Sequence, residues 1–462
     1  MASDIKDKGR RDFLSAAAAT TLLAGAGTVL SISCAKNSEA QSSSPKPSGN
    51  YQGLSSFNPL QEKGMPVEKQ TRNWKELMGF QYDKQEVHPY TRTRIITMNG
   101  VEVAAAIFKH MMARMTQDME LKKALAASRR IEQQQQKAVA GVIPGNETTL
   151  ENTIGYEQVA VDLTAWCARN EPDKYMRQAY EFALLEDFDH LYRYANMLEM
   201  QPDTMPAEKI VGKLTEIMPG RPTIAEHRHP YDSIRTPMDI STAAPITMMN
   251  VMTLVAAEQQ TMNFYMNVAN RYEDPVLRGL YTEIGMIEEQ HVSHYESLMD
   301  PRCSWMMCAV MHEFHECYLY NAFMEQETDP RVKKIWEIHL DMEIGHLHEI
   351  VDLYKKVKGE DPADFLPKGM PAPLTFESNI EYLRNVIENQ VKLTADGTKF
   401  VPVDSLPRDH RYFTYQAKVN EGMVPTQKVI KEYIAKNGQD YRFQTAPHPL
   451  PRFQDRDAVP EY

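Results

Sequence analysis

The sequence EEQH at 288–291 recurs, 55 residues later, as EIGH at 343–346. Thirty residues before each Glu-x-x-His motif stands a single acid, Glu258 before the first and Glu313 before the second. An Asp-Pro pair lies between acid and motif in both copies, and such a pair is typical of a helix N-terminus. The stretch therefore predicts a helical hairpin that occurs twice, with the acid on its first helix and the Glu-x-x-His motif on its second.

Two changed copies of the hairpin lie upstream, again 55 residues apart. Their corresponding residues are Glu102, Glu132 and Gln135 in the first copy and Glu157, Asp187 and His190 in the second. Four hairpins predict an all-α protein with two tandem four-helix bundles, at 96–199 and 244–357. A Pro-rich linker at 200–243 joins them, and its EHRH cluster at 226–229 is interpreted as loop. Residues 358–462 predict a mostly irregular C-terminal arm with short helices.

The connections between consecutive hairpins constrain this arrangement. Only 22 residues separate His291 from Glu313, and the first two hairpins are joined by an equally short segment. Helix ends use part of this length, and roughly ten residues cross ~25 Å of a bundle only when extended at ~3.3 Å per residue. The 68 residues from His190 to Glu258 would allow a crossing easily. Hairpins paired across a homodimer, or between the two halves of the chain, are the alternative to the favoured two bundles in sequence.

The residue types at these positions predict a metal centre. Residues i and i+3 lie on one helix face, so each Glu-x-x-His motif points its glutamate and its histidine the same way. Two packed hairpins would aim four carboxylates and two imidazoles into one interior, and such burial requires about two divalent cations. Oxygen-rich ligation with one imidazole per metal suits iron or manganese rather than structural zinc. The six predicted ligands are Glu258, Glu288, His291, Glu313, Glu343 and His346.

Through these acids and motifs, residues 244–357 resemble a ferritin-like domain of the rubrerythrin and ferritin kind. The resemblance implies a dimetal centre that handles O2 or peroxide, or that oxidises Fe(II). It also implies an additional ligand at Glu316, three residues after Glu313. Tyr265 and Tyr320 each follow an acid by seven residues, a spacing also seen in that superfamily. They are core aromatics on their residue type alone, and the resemblance adds a hydrogen-bonding or radical role beside the metals.

The first bundle lacks parts of this ligand set. Gln135 takes the place of a histidine, Asp187 that of a glutamate, and Lys109 and Thr164 stand where the second bundle has tyrosines. Because glutamine is a poor ligand for these metals, we expect this bundle to act mainly as a scaffold with a degenerate site. Its buried acids would then need another cation. Lys109, two turns after Glu102 on the same helix face, is the candidate.

Composition limits the function classes. A formal net charge of −12 argues against nucleic-acid binding, which normally requires a basic surface. The metal centre and the resemblance favour an oxidoreductase that acts on peroxide or O2, like rubrerythrin peroxidases or manganese catalases. The alternatives are a ferroxidase or iron-handling protein that takes Fe(II), and a metal-binding structural or partner protein without turnover. The ligand set accepts both iron and manganese, and a homo-oligomer is compatible with every class.

The N-terminal sequence predicts export. GRRDFL at 9–14 resembles the twin-arginine signal, and an apolar stretch of small residues follows it up to residue 32. Residues 1–33 are therefore expected to be cleaved. Cys34 stands where a lipoprotein carries its acylated cysteine, although the residues before it match that motif imperfectly. Residues 34–95 predict a tether that wraps a domain. We expect a periplasmic protein or a membrane-anchored lipoprotein that faces outside the cytoplasm.

Overall fold

A computed structural model describes residues 55–441 and 446–454 of the chain. The predicted export signal, with Arg10 and Arg11, and the predicted lipidation site Cys34 lie outside these residues. Among the helices of the described ranges, none combines the length and the apolar character that a membrane crossing needs.

Within the described residues the chain forms fourteen α-helices and one two-stranded antiparallel sheet, numbered here in chain order. Eight long helices carry the repeated hairpins: α2 (Pro89–Met115), α3 (Met119–Ala140), α4 (Thr149–Asn170), α5 (Lys174–Met200), α8 (Pro245–Val268), α9 (Pro275–Glu296), α10 (Trp305–Gln326) and α11 (Pro330–Lys358). The shorter elements are α1 (Trp74–Met78), α6 (Ala207–Val211), α7 (Thr223–Glu226), α12 (Ile380–Gln390), β1 (Leu393–Asp396), β2 (Lys399–Pro402), α13 (Arg411–Val419) and α14 (Pro425–Asn437). The prediction of a mostly helical chain is confirmed.

The second helix of every hairpin begins in the same way. Asp118, Asp173, Asp274 and Asp329 are the N-cap residues of α3, α5, α9 and α11. Each aspartate side chain accepts a hydrogen bond from the backbone N–H two residues further on, which otherwise would have no partner within the helix. Because each second helix begins at an equivalent aspartate, the Glu-x-x-His positions lie equally far along that helix in every hairpin.

The hairpins do not pair in the order in which they occur in the chain. Helix α2 packs against α10, and α3 packs against α11, so the first hairpin pairs with the fourth. Helix α4 packs against α8, and α5 packs against α9, so the second hairpin pairs with the third. We call α2, α3, α10 and α11 the outer bundle, and α4, α5, α8 and α9 the inner bundle. The expected tandem bundles at 96–199 and 244–357 are therefore a wrong assignment, and the alternative, pairing between the two halves of the chain, is observed.

Connection length explains this pairing. Residues 141–148 and 297–304, which follow α3 and α9, are too short to cross a bundle along its length. Each of them instead leads into a helix of the adjacent bundle. The long segment 201–244 between α5 and α8 supplies the crossing within the inner bundle. Helix α2 also packs against α4 and α8, so the two bundles share one wall.

The segment before α2 lies along α11. The Met65 backbone N–H donates to Asp341 O at 2.7 Å, and Gln70 Nε2 donates to Met342 O at 2.9 Å. This approach requires the glycine of the EIGH sequence, because a Cβ atom at Gly345 would lie 1.9 Å from Met65 O. The glycine beside His346 therefore has a packing role that is independent of the histidine.

The C-terminal tail covers the inner bundle. Helix α14 packs against α5 and α9, and α12 packs against α5. Val429 and Ile430 of α14 are buried in the same apolar cluster as Leu191 of α5 and Leu277 of α9. The tail thus completes the apolar core around the helices that carry the inner site.

Two candidate metal centres

The inner bundle brings acidic and imidazole side chains from all four of its helices to one point. Asp187, Glu258, Glu288 and His291 each offer a ligand atom, and these atoms lie within 4.8 Å of one another. Glu157 and His190 form a second group of the same kind that shares Glu288. We call these six residues the inner cluster. With four carboxylates and two imidazoles, it contains the full ligand set that the hairpin repeat predicts.

Both imidazoles of the inner cluster have the same orientation. Nδ1 of His190 and Nδ1 of His291 lie 3.1 Å and 3.0 Å from the nearest carboxylate oxygen of the cluster. On the far side of each ring, Nε2 of His190 is 2.9 Å from Glu226 Oε2, and Nε2 of His291 is 2.8 Å from Glu186 Oε2. A carboxylate on the far nitrogen fixes the tautomer and the ring orientation, as it commonly does around metal-bound histidine.

Two buried arginines from the linker support this arrangement. Arg221 Nη1 donates to Glu186 Oε1 at 2.8 Å, and Arg228 also pairs with Glu186. Burial opposes ionisation of Glu186, but Arg228, His291 and Arg221 hold its pKa well below the usual range. The interpretation of residues 226–229 as simple loop is therefore wrong for Glu226 and Arg228. Both are buried because α7 and the residues after it pack against α5 and α9.

The inner cluster leaves many polar atoms without a hydrogen-bond partner. Both carboxylate oxygens of Asp187 and of Glu258 have none, nor do one oxygen of Glu157 and one of Glu288. Nδ1 of His291 likewise makes no hydrogen bond, although it forms an ion pair with Asp187 Oδ1 at 3.0 Å. Buried carboxylates in this state are costly unless a cation neutralises them. Each of these residues offers one ligand atom within 4.8 Å of the others in its group, so this donor set fits a divalent metal ion.

The outer bundle forms a second cluster with a different composition. Glu132, Glu313, Glu343 and His346 offer ligand atoms within 4.8 Å of one another, and Glu102, Glu132 and Glu316 form an overlapping group. We call these six residues the outer cluster. It has five glutamates and one imidazole. Gln135, where a second histidine is expected, donates its side-chain amide to Glu343 instead.

Lys109 lies inside the outer cluster. Its side chain is only 3% exposed, and Nζ lies 2.8 Å from Glu313 Oε1 while also pairing with Glu132. Burial alone would lower the pKa of Lys109, but the carboxylates of Glu132 and Glu313 raise it well above the ordinary value. Lys109 was expected beside the acids of the first two hairpins. The structure places it between the first hairpin and the fourth.

The two tyrosines that follow an acid by seven residues contact the clusters across the hairpin pair. The Tyr265 hydroxyl donates to Glu157, and the Tyr320 hydroxyl donates to Glu102. Lys109 occupies the position in the first hairpin that Tyr320 occupies in the fourth, and it correspondingly reaches Glu313. The outer bundle thus has an approximate two-fold relation between its hairpins.

The surroundings of several ligands in both clusters favour their protonated forms. Burial lowers the pKa of His190, His291 and His346, but neighbouring carboxylates more than reverse this and raise each pKa well above its usual value. Burial, followed by the Asp187 charge, raises the pKa of Glu258 well above its usual range. Metal binding would have to displace such protons, so it is coupled to pH.

The six predicted ligands do not share one centre. Glu258, Glu288 and His291 lie in the inner cluster, whereas Glu313, Glu343 and His346 lie in the outer cluster. The physical reason is the pairing of the hairpins, which joins each complete hairpin to a changed one. The residues assigned to a degenerate site are divided likewise: Glu157, Asp187 and His190 complete the inner cluster, and Glu102, Glu132 and Gln135 belong with the outer one.

Sequence reasoning missed the carboxylates behind the imidazoles. Glu186 directly precedes Asp187, so a helix turns it by about 100° from the cluster face and towards the neighbouring helix. Glu226 is one of four chemically active side chains in a row, within an otherwise Pro-rich linker. Such a run of titratable side chains, in a segment between two predicted bundles, is the sequence signal that could have identified Glu226.

A comparison of the chain with protein-family models, with curated proteins and with solved structures found no match. The chemistry of the inner and outer clusters therefore rests on the side chains themselves. What these side chains establish is a helical protein whose buried carboxylate and imidazole groups could hold metal ions.

Proposed function

We propose that the inner cluster binds two iron or manganese ions and that the protein is an exported oxidoreductase acting on peroxide or O2. The observation that carries the proposal is the orientation of His190 and His291. Each directs Nδ1 at three carboxylates of the inner cluster, while a further carboxylate holds Nε2. Hydrogen bonding of this kind fixes the tautomer and the ring orientation of an imidazole that ligates a metal.

The metals, when bound, supply the redox equivalents for peroxide or O2 chemistry. The protein's own residues hold protons, orient the ligands and exclude water. Glu226 and Glu186 hold the protons at Nε2 of the imidazoles and keep Nδ1 free for ligation. Tyr265 donates to one oxygen of Glu157 and leaves the other for the centre. Helices α4, α5, α8 and α9 bury the ligands, so bulk water is excluded from the reaction.

Metal content is the first test, and two neighbouring glutamates provide a matched pair of variants. Glu288→Ala removes a carboxylate shared by both groups of the inner cluster, whereas Glu289→Ala changes an exposed residue that the helix turns by about 100° from Glu288. We expect the metal content per chain to fall sharply in Glu288→Ala and to equal that of the wild type in Glu289→Ala. Unchanged metal content in Glu288→Ala would contradict the proposed site.

Activity then separates the function classes. Metal-loaded protein that evolves O2 from hydrogen peroxide without a donor acts as a catalase, and one that consumes peroxide only with a reductant acts as a peroxidase. Oxidation of added Fe(II), with neither of these activities, would instead identify a ferroxidase. A loaded protein with none of the three activities would be a metal-binding structural or partner protein, and the proposal would be refuted.

A further inference from the structure

A row of tyrosines connects the inner cluster with the protein surface. The row begins at Tyr265, whose hydroxyl donates to Glu157. The ring centroid of Tyr281 lies 5.4 Å from that of Tyr265, and the ring of Tyr272 stacks on Tyr281 at 5.4 Å with an interplanar angle of 10°. Tyr194 touches both Tyr265 and Tyr281, at 5.4 Å and 4.9 Å.

Among these side chains, solvent exposure is found at the end of the row that lies farthest from the inner cluster. Tyr265 is 1% exposed and Tyr281 is fully buried, whereas Tyr272, in the turn between α8 and α9, is partly exposed. Burial raises the pKa of Tyr265 and of Tyr281 well above the ordinary value, so both are neutral phenols. The row therefore runs from a buried carboxylate to a position that solutes can reach.

The outer cluster has no such row among the described residues. Tyr320 corresponds to Tyr265, and its ring contacts Trp336 at 5.8 Å and His339 at 5.3 Å. Trp336 is fully buried, and its indole Nε1 donates to Glu327 at 3.3 Å. A tyrosine beside a cluster is thus common to both bundles, but a continuation of oxidisable rings to the surface distinguishes the inner one.

We propose that Tyr265, Tyr281 and Tyr272 form a route by which electrons from an external hydroquinone-type donor reach the inner cluster. The inference rests on the proposed function, and it gives that function a reductant. Reduction of hydrogen peroxide to two waters takes two electrons and two protons, whereas a phenol passes one electron at a time. The route therefore operates twice for each peroxide.

Electrons and protons balance in each one-electron transfer along the row. Tyr265 gives one electron to the centre, and its phenolic proton moves along the existing hydrogen bond to Glu157. An electron from Tyr272 then crosses the ring of Tyr281, the proton returns from Glu157 to Tyr265, and Tyr272 releases its own proton to solvent. The hydroquinone restores Tyr272 with one electron and one proton. After two passages the hydroquinone has become a quinone, and the two protons released to solvent equal the two that peroxide takes up.

The position of the radical provides a test that does not depend on turnover. Metal-loaded protein is mixed with hydrogen peroxide and a nitrone spin trap, and the trapped residue is identified by peptide mass spectrometry. We expect the adduct at Tyr272 in the wild type and its loss in Tyr281→Leu, which removes the bridging ring. Freeze-quenched samples of Tyr281→Leu should retain the tyrosyl radical signal in electron paramagnetic resonance, because Tyr265 is still present.

Tyr295→Leu is the matched control. Tyr295 is another fully buried tyrosine of α9, and its ring contacts Tyr180 rather than the row. This variant should give the Tyr272 adduct of the wild type. If instead both leucine variants lose the adduct, the loss reflects damage to the bundle and the route is refuted.

Kinetics with a hydroquinone provides the second readout. Tyr272→Phe should lower the rate of peroxide reduction by hydroquinone while its metal content and any donor-free O2 evolution equal those of the wild type. Hydroquinone-dependent peroxide reduction that is the same in Tyr272→Phe and in the wild type would overturn the route and leave the proposed function intact. A wild-type protein that holds two metals and consumes no peroxide would overturn both.

Discussion

Replacement of Lys109 by methionine would remove the only lysine among the acids of the outer cluster that the structure describes. Methionine has similar length and no charge, so the packing is largely kept while the ammonium is lost. In the present structure Nζ of Lys109 lies 2.8 Å from Glu313 Oε1 and also pairs with Glu132. Both acids are almost fully buried, and solvent cannot replace the missing cation.

The magnitude follows from the partners that remain. Loss of one partner of a buried ion pair destabilises a protein by ~3–5 kcal/mol, because the other charge is left uncompensated. Nδ1 of His346 still lies 3.1 Å from Glu132 Oε1 and 3.7 Å from Glu313 Oε2, so part of the compensation is retained. We therefore expect a loss of about 3 kcal/mol in the free energy of unfolding of the metal-free protein.

A divalent ion should reverse this loss. A ligand at a thousand times its dissociation constant stabilises the folded state by about 4 kcal/mol, which is as large as the expected defect. The measurement is urea unfolding of metal-free and manganese-loaded protein, with metal content determined in parallel. We expect Lys109→Met to bind more manganese per chain than the wild type and to regain stability when loaded.

Lys84→Met is the control for this experiment. Lys84 Nζ lies 2.7 Å from Glu151 Oε1, an ion pair with one fully buried partner that is not part of either cluster. Its replacement should destabilise the protein equally with and without manganese. Equal stability of metal-free Lys109→Met and wild type, or a defect in Lys109→Met that manganese does not reduce, would refute the reasoning.

Three further predictions concern other parts of the chain. Glu226→Ala, which frees Nε2 of His190, should weaken metal binding by about 10- to 100-fold without changing the ligands themselves, as a metal titration would show. Burial raises the pKa of Asp162 to about 7, so this group stabilises the fold below about pH 4 and loses that contribution as the pH rises through 7. Asp162→Asn should therefore abolish up to about 4 kcal/mol of the change in unfolding free energy between about pH 4 and about pH 8. Exchange of Arg10 and Arg11 for lysine should retain uncleaved precursor in the cytoplasm, and normal processing of that variant on an immunoblot would contradict export by the twin-arginine route.

The spacing of the repeat predicted local structure well. Aspartates ahead of the second helices cap α3, α5, α9 and α11, since a capping side chain acts on residues two or three positions away. The acids and Glu-x-x-His motifs are likewise buried in clusters. These properties depend on neighbours within one helix or one hairpin, and a sequence motif contains that information.

The choice of partner hairpin could not be predicted in the same way. All four hairpins have the same ligand spacing, so Glu258 could face Glu313 or Glu157 equally well by that criterion. The short connection after His291 was the one observation that favoured the alternative pairing, because it could cross a bundle only when extended. Glu186 and Glu226 were missed for a related reason. Their role appears only when two segments that are distant in the chain meet around an imidazole.

The nested order of the hairpins has a consequence for how the chain acquires its fold. Residues 149–296 form the inner bundle as one continuous segment, so its four helices can pair before the outer bundle and the tail that completes their core are synthesised. Helices α2 and α3 are synthesised earlier, but their partners α10 and α11 are complete only at residue 358. The first hairpin must therefore wait for a long loop closure, such as the 208 residues that separate Gln135 from Glu343. The first hairpin is thus synthesised before the inner bundle but finds its partner helices after it. The inner bundle is the surface on which the outer bundle can assemble.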